Sequence, residues 1–77
     1  MIVKFIEYNI RKPWVDITTW ENPPVVPCKD DSVLLDTETE QKIIRRLYVV
    51  IGRIITKDSV QVFVEYDNSE TIIPKNG

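Results

Sequence analysis

The chain contains eleven isoleucines and ten valines but only three leucines, one methionine and no alanine. Isoleucine and valine lose side-chain freedom in a helix and pack well on a pleated sheet, whereas alanine and leucine favour helices. At 77 residues the chain has room for one small domain. We therefore predict a mainly β domain over residues 1–73, with a flexible C-terminal tail at 74–77.

Five segments show the apolar-polar alternation or the short apolar runs that are typical of strands. Prolines or clusters of turn-forming residues separate most of them. The predicted strands are 1–10, 14–20, 32–36, 47–56 and 60–66, with a sixth left open at 71–73.

Gly52 lies inside the fourth predicted strand, where a glycine indicates a bulge or a sharp bend. Short antiparallel strands must protect their edges, and curling into a barrel does this. The predicted fold class is therefore all-β, a small antiparallel barrel of five or six strands.

Residues 38–51 also fit a helix. Thr37-Glu38-Thr39-Glu40 has the spacing of a capping box, and Gly52 stands where a helix commonly ends. Most apolar residues between them fall on one helical face, but the β-branched run Val49-Val50-Ile51 argues against a helix. The alternative fold is α+β with one helix at about 38–51.

The order of Pro27–Leu35, Tyr48-Val49-Val50 and Val60–Val64 resembles the turn, strand and hairpin of small SH3-like barrels. The resemblance covers about residues 26–66, and Asp30 stands where those barrels usually have a glycine. It implies a fold but no activity, because SH3-like barrels host many unrelated functions.

Histidine is absent and Cys28 is the single cysteine. Histidine is the commonest general base and metal ligand, and a lone cysteine forms neither an internal disulfide nor a cysteine-rich metal site. We therefore expect no enzyme activity, no catalytic residue, no metal and no cofactor. No segment approaches the roughly 20 apolar residues that span a bilayer, and the first residues lack the pattern of a signal peptide. We expect a cytoplasmic protein that does not bind membranes.

Charge is unevenly distributed along the chain. Residues 1–40 hold four basic and eight acidic side chains, a balance of −4, whereas residues 41–77 hold six and four, a balance of +2. We interpret five acids of the first half as solvated loop charges, because the glycine of a calcium loop is missing. They are Asp30, Asp31, Asp36, Glu38 and Glu40.

The basic cluster of the second half offers an alternative function, nucleic-acid binding. Its candidate residues are Arg45, Arg46, Arg53 and Lys57. The acidic segment before them would repel a phosphate chain, which argues for protein as the partner.

Large aromatic residues lie close to the proline-rich segment 23–27. In small barrels, aromatics beside a loop often line a groove for an extended peptide, although each tryptophan could instead belong to the core. We therefore predict a non-catalytic protein-binding or assembly module of unidentified partner, with a purely structural homo-oligomer or homodimer as a further alternative. The candidate site residues are Tyr8, Trp14, Trp20, Pro23 and Pro24.

Overall fold

The computed structural model describes residues 1–8 and 14–75, and these residues form five strands and no helix. The prediction of an all-β fold is confirmed. The strands are β1 (Ile2–Glu7), β2 (Val15–Glu21), β3 (Ser32–Glu38), β4 (Lys42–Ile55) and β5 (Ser59–Pro74). None of the described residues belongs to a helix that could cross a membrane.

The alternative helix at 38–51 is wrong, because β4 occupies most of that segment. Residues 43–49 of β4 pair with β3 on one side and with β5 on the other. Pairing on both sides gives the backbone hydrogen-bond partners across the sheet, and the β-branched side chains fit the pleated surface. Tertiary pairing therefore overrides the helical periodicity.

The sheet has the strand order β2-β1-β5-β4-β3. β1 and β5 run parallel, and all other neighbouring strands run antiparallel. β2 and β3 are the two edge strands, and they approach each other without forming a ladder between described residues. The sheet is therefore curled but open, and barrel closure is not confirmed.

β4 and β5 leave regular register at two points. Asp67 and Asn68 of β5 have no partner on β4, and Asn68 has a φ of 53°. The turn predicted at 67–69 is therefore a bulge, and the sixth strand predicted at 71–73 is a continuation of β5. The second shift occurs beside Gly52, where a bulge was expected from the sequence.

The core lies on one face of the sheet, which we call the inner face; the opposite side is the outer face. Val60, Val62 and Val64 are buried on the inner face, as their alternation predicts, and Tyr66 packs against the core. Ile17, Trp20 and Val26 also pack there. The buried residues are Val3, Phe5, Val33, Leu35, Tyr48, Val50, Val60, Val62 and Val64.

Two predicted segments extend beyond the described residues. Positions 9 and 10 of the first predicted strand lie outside them, as do positions 76 and 77 of the predicted tail. Pro74 ends β5, and Lys75 forms an ion pair with Glu38 at 3.2 Å.

Candidate protein-binding surface

Trp14 precedes β2 and packs on the outer face against two other aromatic rings. Its centroid lies 5.5 Å from that of Tyr8 and 5.1 Å from that of Phe63, with interplanar angles of 64° and 79°. Such edge-to-face contacts are an arrangement that aromatic pairs prefer. Trp14 nevertheless keeps 59% of its surface exposed. We call Tyr8, Trp14 and Phe63 the aromatic cluster.

The backbone of Trp14 lies in the left-handed region, with a φ of 68°. This region is uncommon for a bulky residue and costs on the order of 1 kcal/mol or more. Such a conformation persists only where the surrounding structure holds it, and it concentrates at ligand-binding sites. The exposed ring of Trp14 is therefore attached to a strained backbone and is held by contacts with Tyr8 and Phe63.

Trp20 lies on the inner face and supports the core. It is half-buried, and its ring centroid lies 4.5 Å from that of Phe5 at an interplanar angle of 64°. The loop that follows β2 forms an open groove beside it, whose lining includes Pro23, Pro24 and Val25. The structure therefore brings together the predicted residues Trp20, Pro23 and Pro24.

A bulge in β2 places the two tryptophans on opposite faces. Trp14 and Trp20 are six positions apart, so strict alternation would put them on the same face. However, Thr18 and Asp16 pair with consecutive residues of β1, which leaves Ile17 without a partner. One extra residue reverses the facing of the residues before it. The predicted site therefore divides into two surfaces, with Tyr8 and Trp14 on one and the groove residues on the other.

The two adjacent arginines of the alternative site are both held by carboxylates. Arg45 donates two hydrogen bonds to Asp36, at 2.8 and 3.1 Å, and this contact lowers the pKa of Asp36 and raises that of Arg45. Arg46 donates to Glu70 at 2.7 Å, which raises the pKa of Arg46, and its guanidinium lies 5.6 Å from the ring centroid of Tyr66. Both cations are therefore engaged within the chain.

The alternative nucleic-acid site is also dispersed. Arg45 and Arg46 are consecutive residues of one strand, so they point to opposite faces. Arg53 lies seven residues beyond Arg46 on β4, about 23 Å along an extended strand, and Lys57 follows in the next turn. The structure does not bring these four cations together.

Three of the five acidic residues predicted as loop charges make local contacts, and Asp36 and Glu38 lie in β3 rather than in a loop. Asp31 accepts a hydrogen bond from the backbone N–H of Cys28 at 2.8 Å, which fixes the turn before β3. Asp36 and Glu38 form the ion pairs with Arg45 and Lys75 described above. Within residues 1–8 and 14–75, no group of three or more histidine, cysteine, aspartate or glutamate side chains is placed to hold a metal ion.

Phe63 is a site residue that the sequence interpretation missed. The sequence does contain a signal for Phe63, because it alternates with Val62 and Val64. Both valines are buried on the inner face. Phe63 must then point to the outer face, between Gln61 and Glu65. Together with Trp14 and Tyr8 it forms a contiguous aromatic patch, and such patches, unlike single apolar residues, mark interaction surfaces.

No family model, no curated protein and no solved structure matches this chain. The functional interpretation is therefore built on the geometry of the two surfaces. The aromatic cluster offers flat ring faces and edges, which suit apolar groups and cations. The groove beside Trp20 suits an extended chain, because prolines and an aromatic ring line it.

Proposed function

We propose that this chain is a non-catalytic module that binds a partner protein through the aromatic cluster. The observation that carries this proposal is the exposure of Trp14, 59%, in a ring that two other aromatic rings hold in place. Tryptophan and tyrosine are enriched at the residues that dominate binding energy in protein interfaces. They supply a large contact area at low conformational cost.

The outer face around the cluster is partly apolar, which supports a protein as the partner. Ile6 of β1 lies directly beside Phe63 of β5, and Ile2 shares the same face further along β1. Ile51 of β4, one residue before the Gly52 that pairs with Phe63, is also exposed. Small ligands usually require a concave pocket, whereas a protein can cover an open surface of this kind.

A nucleic acid fits these features less well. The net charge is −2, and the two adjacent arginines of the alternative site are already paired with carboxylates. A nucleic-acid-binding function would make a mixed oligonucleotide shift the backbone amide signals of residues 42–57, an effect that salt weakens. Unchanged signals at low salt would exclude it.

The groove beside Trp20 supports a second mode of protein binding. It lies at the end of β2, an edge strand whose free edge forms no ladder with described residues. An extended segment can add to such an edge and place one side chain against Trp20 and Pro24. We also propose that the open sheet is an incomplete SH3-like barrel whose gap lies between β2 and β3.

The decisive experiment is affinity capture with the tagged chain and with the variants Trp14→Leu and Leu34→Ala. Leu34 is a matched control, because it is 57% exposed on the outer face but lies on β3. We expect a protein that the unmodified chain and Leu34→Ala retain and that Trp14→Leu loses, with all three chains folded by circular dichroism. Equal retention by all three would overturn the proposal.

The homo-oligomer alternative has a separate measurement. Light scattering on the purified chain distinguishes the 9.0 kDa monomer from a dimer of twice that mass. A dimer that Trp14→Leu dissociates would identify a second copy as the partner of the aromatic cluster. A monomer leaves a different protein as the partner.

A further inference from the structure

The end of β2 carries backbone groups that β1 does not use. The backbone N–H of Asn22 donates to the carbonyl oxygen of Met1 at 2.7 Å, so these two residues form a hydrogen-bonded pair. In an antiparallel ladder such pairs alternate with pairs that form no hydrogen bonds. Trp20 therefore bonds to β1, whereas Thr19 and Glu21 direct their N–H and C=O groups towards the free edge.

The groove beside Trp20 provides space at this edge. Its volume is about 710 Å³, and among the described residues only 19–25 line it. No residue of β3 therefore occupies the groove, although β3 approaches β2 in the curled sheet. The groove lies at the end of β2 that pairs with Ile2 and Val3, which is the opposite end from Trp14.

The loop after β2 supplies a second, apolar wall. Asn22 has a φ of 47°, a left-handed conformation that asparagine tolerates better than most residues. It turns the chain out of the ladder, so Pro23, Pro24 and Val25 line the groove. The two prolines have no backbone N–H, and Val25 is 70% exposed. The groove thus combines hydrogen-bonding groups with an apolar surface.

An extended polypeptide matches both walls. Thr19 and Glu21 each offer one donor and one acceptor, about 6.8 Å apart along the strand. Another extended chain repeats its donors and acceptors at the same interval, which is the basis of strand addition to a sheet edge. The added residue opposite Trp20 directs its side chain to the inner face, beside the indole ring, and its two neighbours point outward.

We infer that the groove binds a segment of the partner protein as an added antiparallel strand, hydrogen-bonded to the backbone of Thr19 and Glu21. The segment has an apolar side chain opposite Trp20, between two polar residues. Antiparallel pairing is the slightly more stable arrangement per residue. This inference rests on the second binding mode of the proposed function and does not depend on the aromatic cluster.

The probe is the peptide acetyl-Ser-Thr-Val-Thr-Ser-amide, whose valine would lie opposite Trp20. We expect it to shift the backbone amide NMR signals of Thr19 and Glu21. N-methylation of either peptide threonine removes an N–H that bonds to β2 and should weaken binding about threefold to tenfold. N-methylation of the valine removes an N–H that faces solvent and should leave the affinity nearly unchanged.

A proline variant tests the same hydrogen bonds from the side of the chain. Thr19→Pro removes an N–H that β1 does not use, and an edge strand accepts proline at such a position. We expect it to weaken the unmodified peptide about threefold to tenfold.

Leu34→Pro is the matched control on the other edge strand. The N–H of Val50 donates to the carbonyl oxygen of Asp31, so the same alternation directs the N–H of Leu34 away from β4. Leu34→Pro should leave peptide binding unchanged. Circular dichroism checks that both variants fold, and the methylated peptides test the pairing on the unmodified chain if Thr19→Pro does not.

Three results would contradict the inference. They are an absence of shifts at Thr19 and Glu21, shifts confined to residues outside 19–25, and equal weakening by methylation of the valine and of the threonines.

The experiment also separates this inference from the proposed aromatic cluster. If Trp14→Leu abolishes partner capture while the peptide shifts neither Thr19 nor Glu21, the aromatic cluster stands and the strand addition is wrong. If the peptide binds as expected while Trp14→Leu still captures the partner, the strand addition stands and the aromatic cluster is not the site.

Discussion

Trp14 and Trp20 lie on opposite faces of the sheet because Ile17, between them, has no partner on β1. Trp20 packs on Phe5 at the margin of the core, whereas Trp14 stands on Phe63 in contact with solvent. One unmatched residue therefore gives the two tryptophans of a single strand region different environments. They should respond differently to substitution.

We expect Trp20→Ala to lower the free energy of unfolding by about 2–3 kcal/mol and Trp14→Ala by less than about 1 kcal/mol. The difference follows from the half-buried ring of Trp20 and the exposed ring of Trp14. Urea unfolding followed by far-ultraviolet circular dichroism measures both values. A larger loss for Trp14→Ala would show that this residue is structural and would weaken the binding proposal.

Gly52→Ala should raise the free energy of unfolding by about 0.5 kcal/mol. Gly52 does not have a positive φ, and a Cβ atom built on it meets no atom within 4 Å. Alanine therefore fits the bulge and reduces the freedom of the unfolded chain. Thermal unfolding of the two proteins tests this. A marked destabilisation would mean that the bulge needs glycine after all.

Stability should fall at alkaline pH through the ionisation of Tyr48. Burial raises the pKa of its phenol above the usual 10.0. A raised pKa in the folded state means that the unfolded chain releases the proton first, so stability is lost as the pH rises above about 10. Tyr48→Phe should reduce this alkaline loss, measured as the urea midpoint against pH. Tyr8→Phe is the control, because Tyr8 is exposed. A pH profile of Tyr48→Phe identical to that of the unmodified chain would contradict the prediction.

The ion pair of Asp36 and Arg45 should stabilise the fold only above acidic pH. The hydrogen bond from Arg45 lowers the pKa of Asp36, so its contribution is present above the unfolded pKa and is lost as the pH falls through the folded pKa. The difference in melting temperature between the unmodified chain and Asp36→Asn should shrink between about pH 6 and about pH 2. A difference that does not depend on pH would point to a loss of packing instead.

Much of the fold can be predicted from the sequence where the pattern is local. The alternation of Val60, Val62 and Val64 predicts the inner face of β5 correctly, and Gly52 marks a true bulge. The first residues of β4 are not predicted as a strand, because part of what holds them is distant in sequence. Arg46, for example, pairs with Glu70 of β5, 24 positions away.

The candidate site is harder to predict than the fold. The residues Asp16-Ile17-Thr18 contain no glycine, so no local signal marks the bulge that separates the tryptophans. Phe63 joins Trp14 only because β1 and β5 are neighbours, a pairing across more than fifty residues. Residue type alone identified Tyr8 and Trp14 of the aromatic cluster. The arrangement of the cluster depends on the assembled sheet.

The parallel pairing of β1 with β5 has a consequence for biosynthesis. Val3 and Phe5, which have no solvent contact in the finished sheet, lie beside Val60 and Val62. A ribosome makes the first pair well before the second, so these side chains lack their neighbours until Val60 and Val62 have been made. The nascent chain is therefore most exposed to aggregation during that interval, and the sheet cannot form one strand at a time.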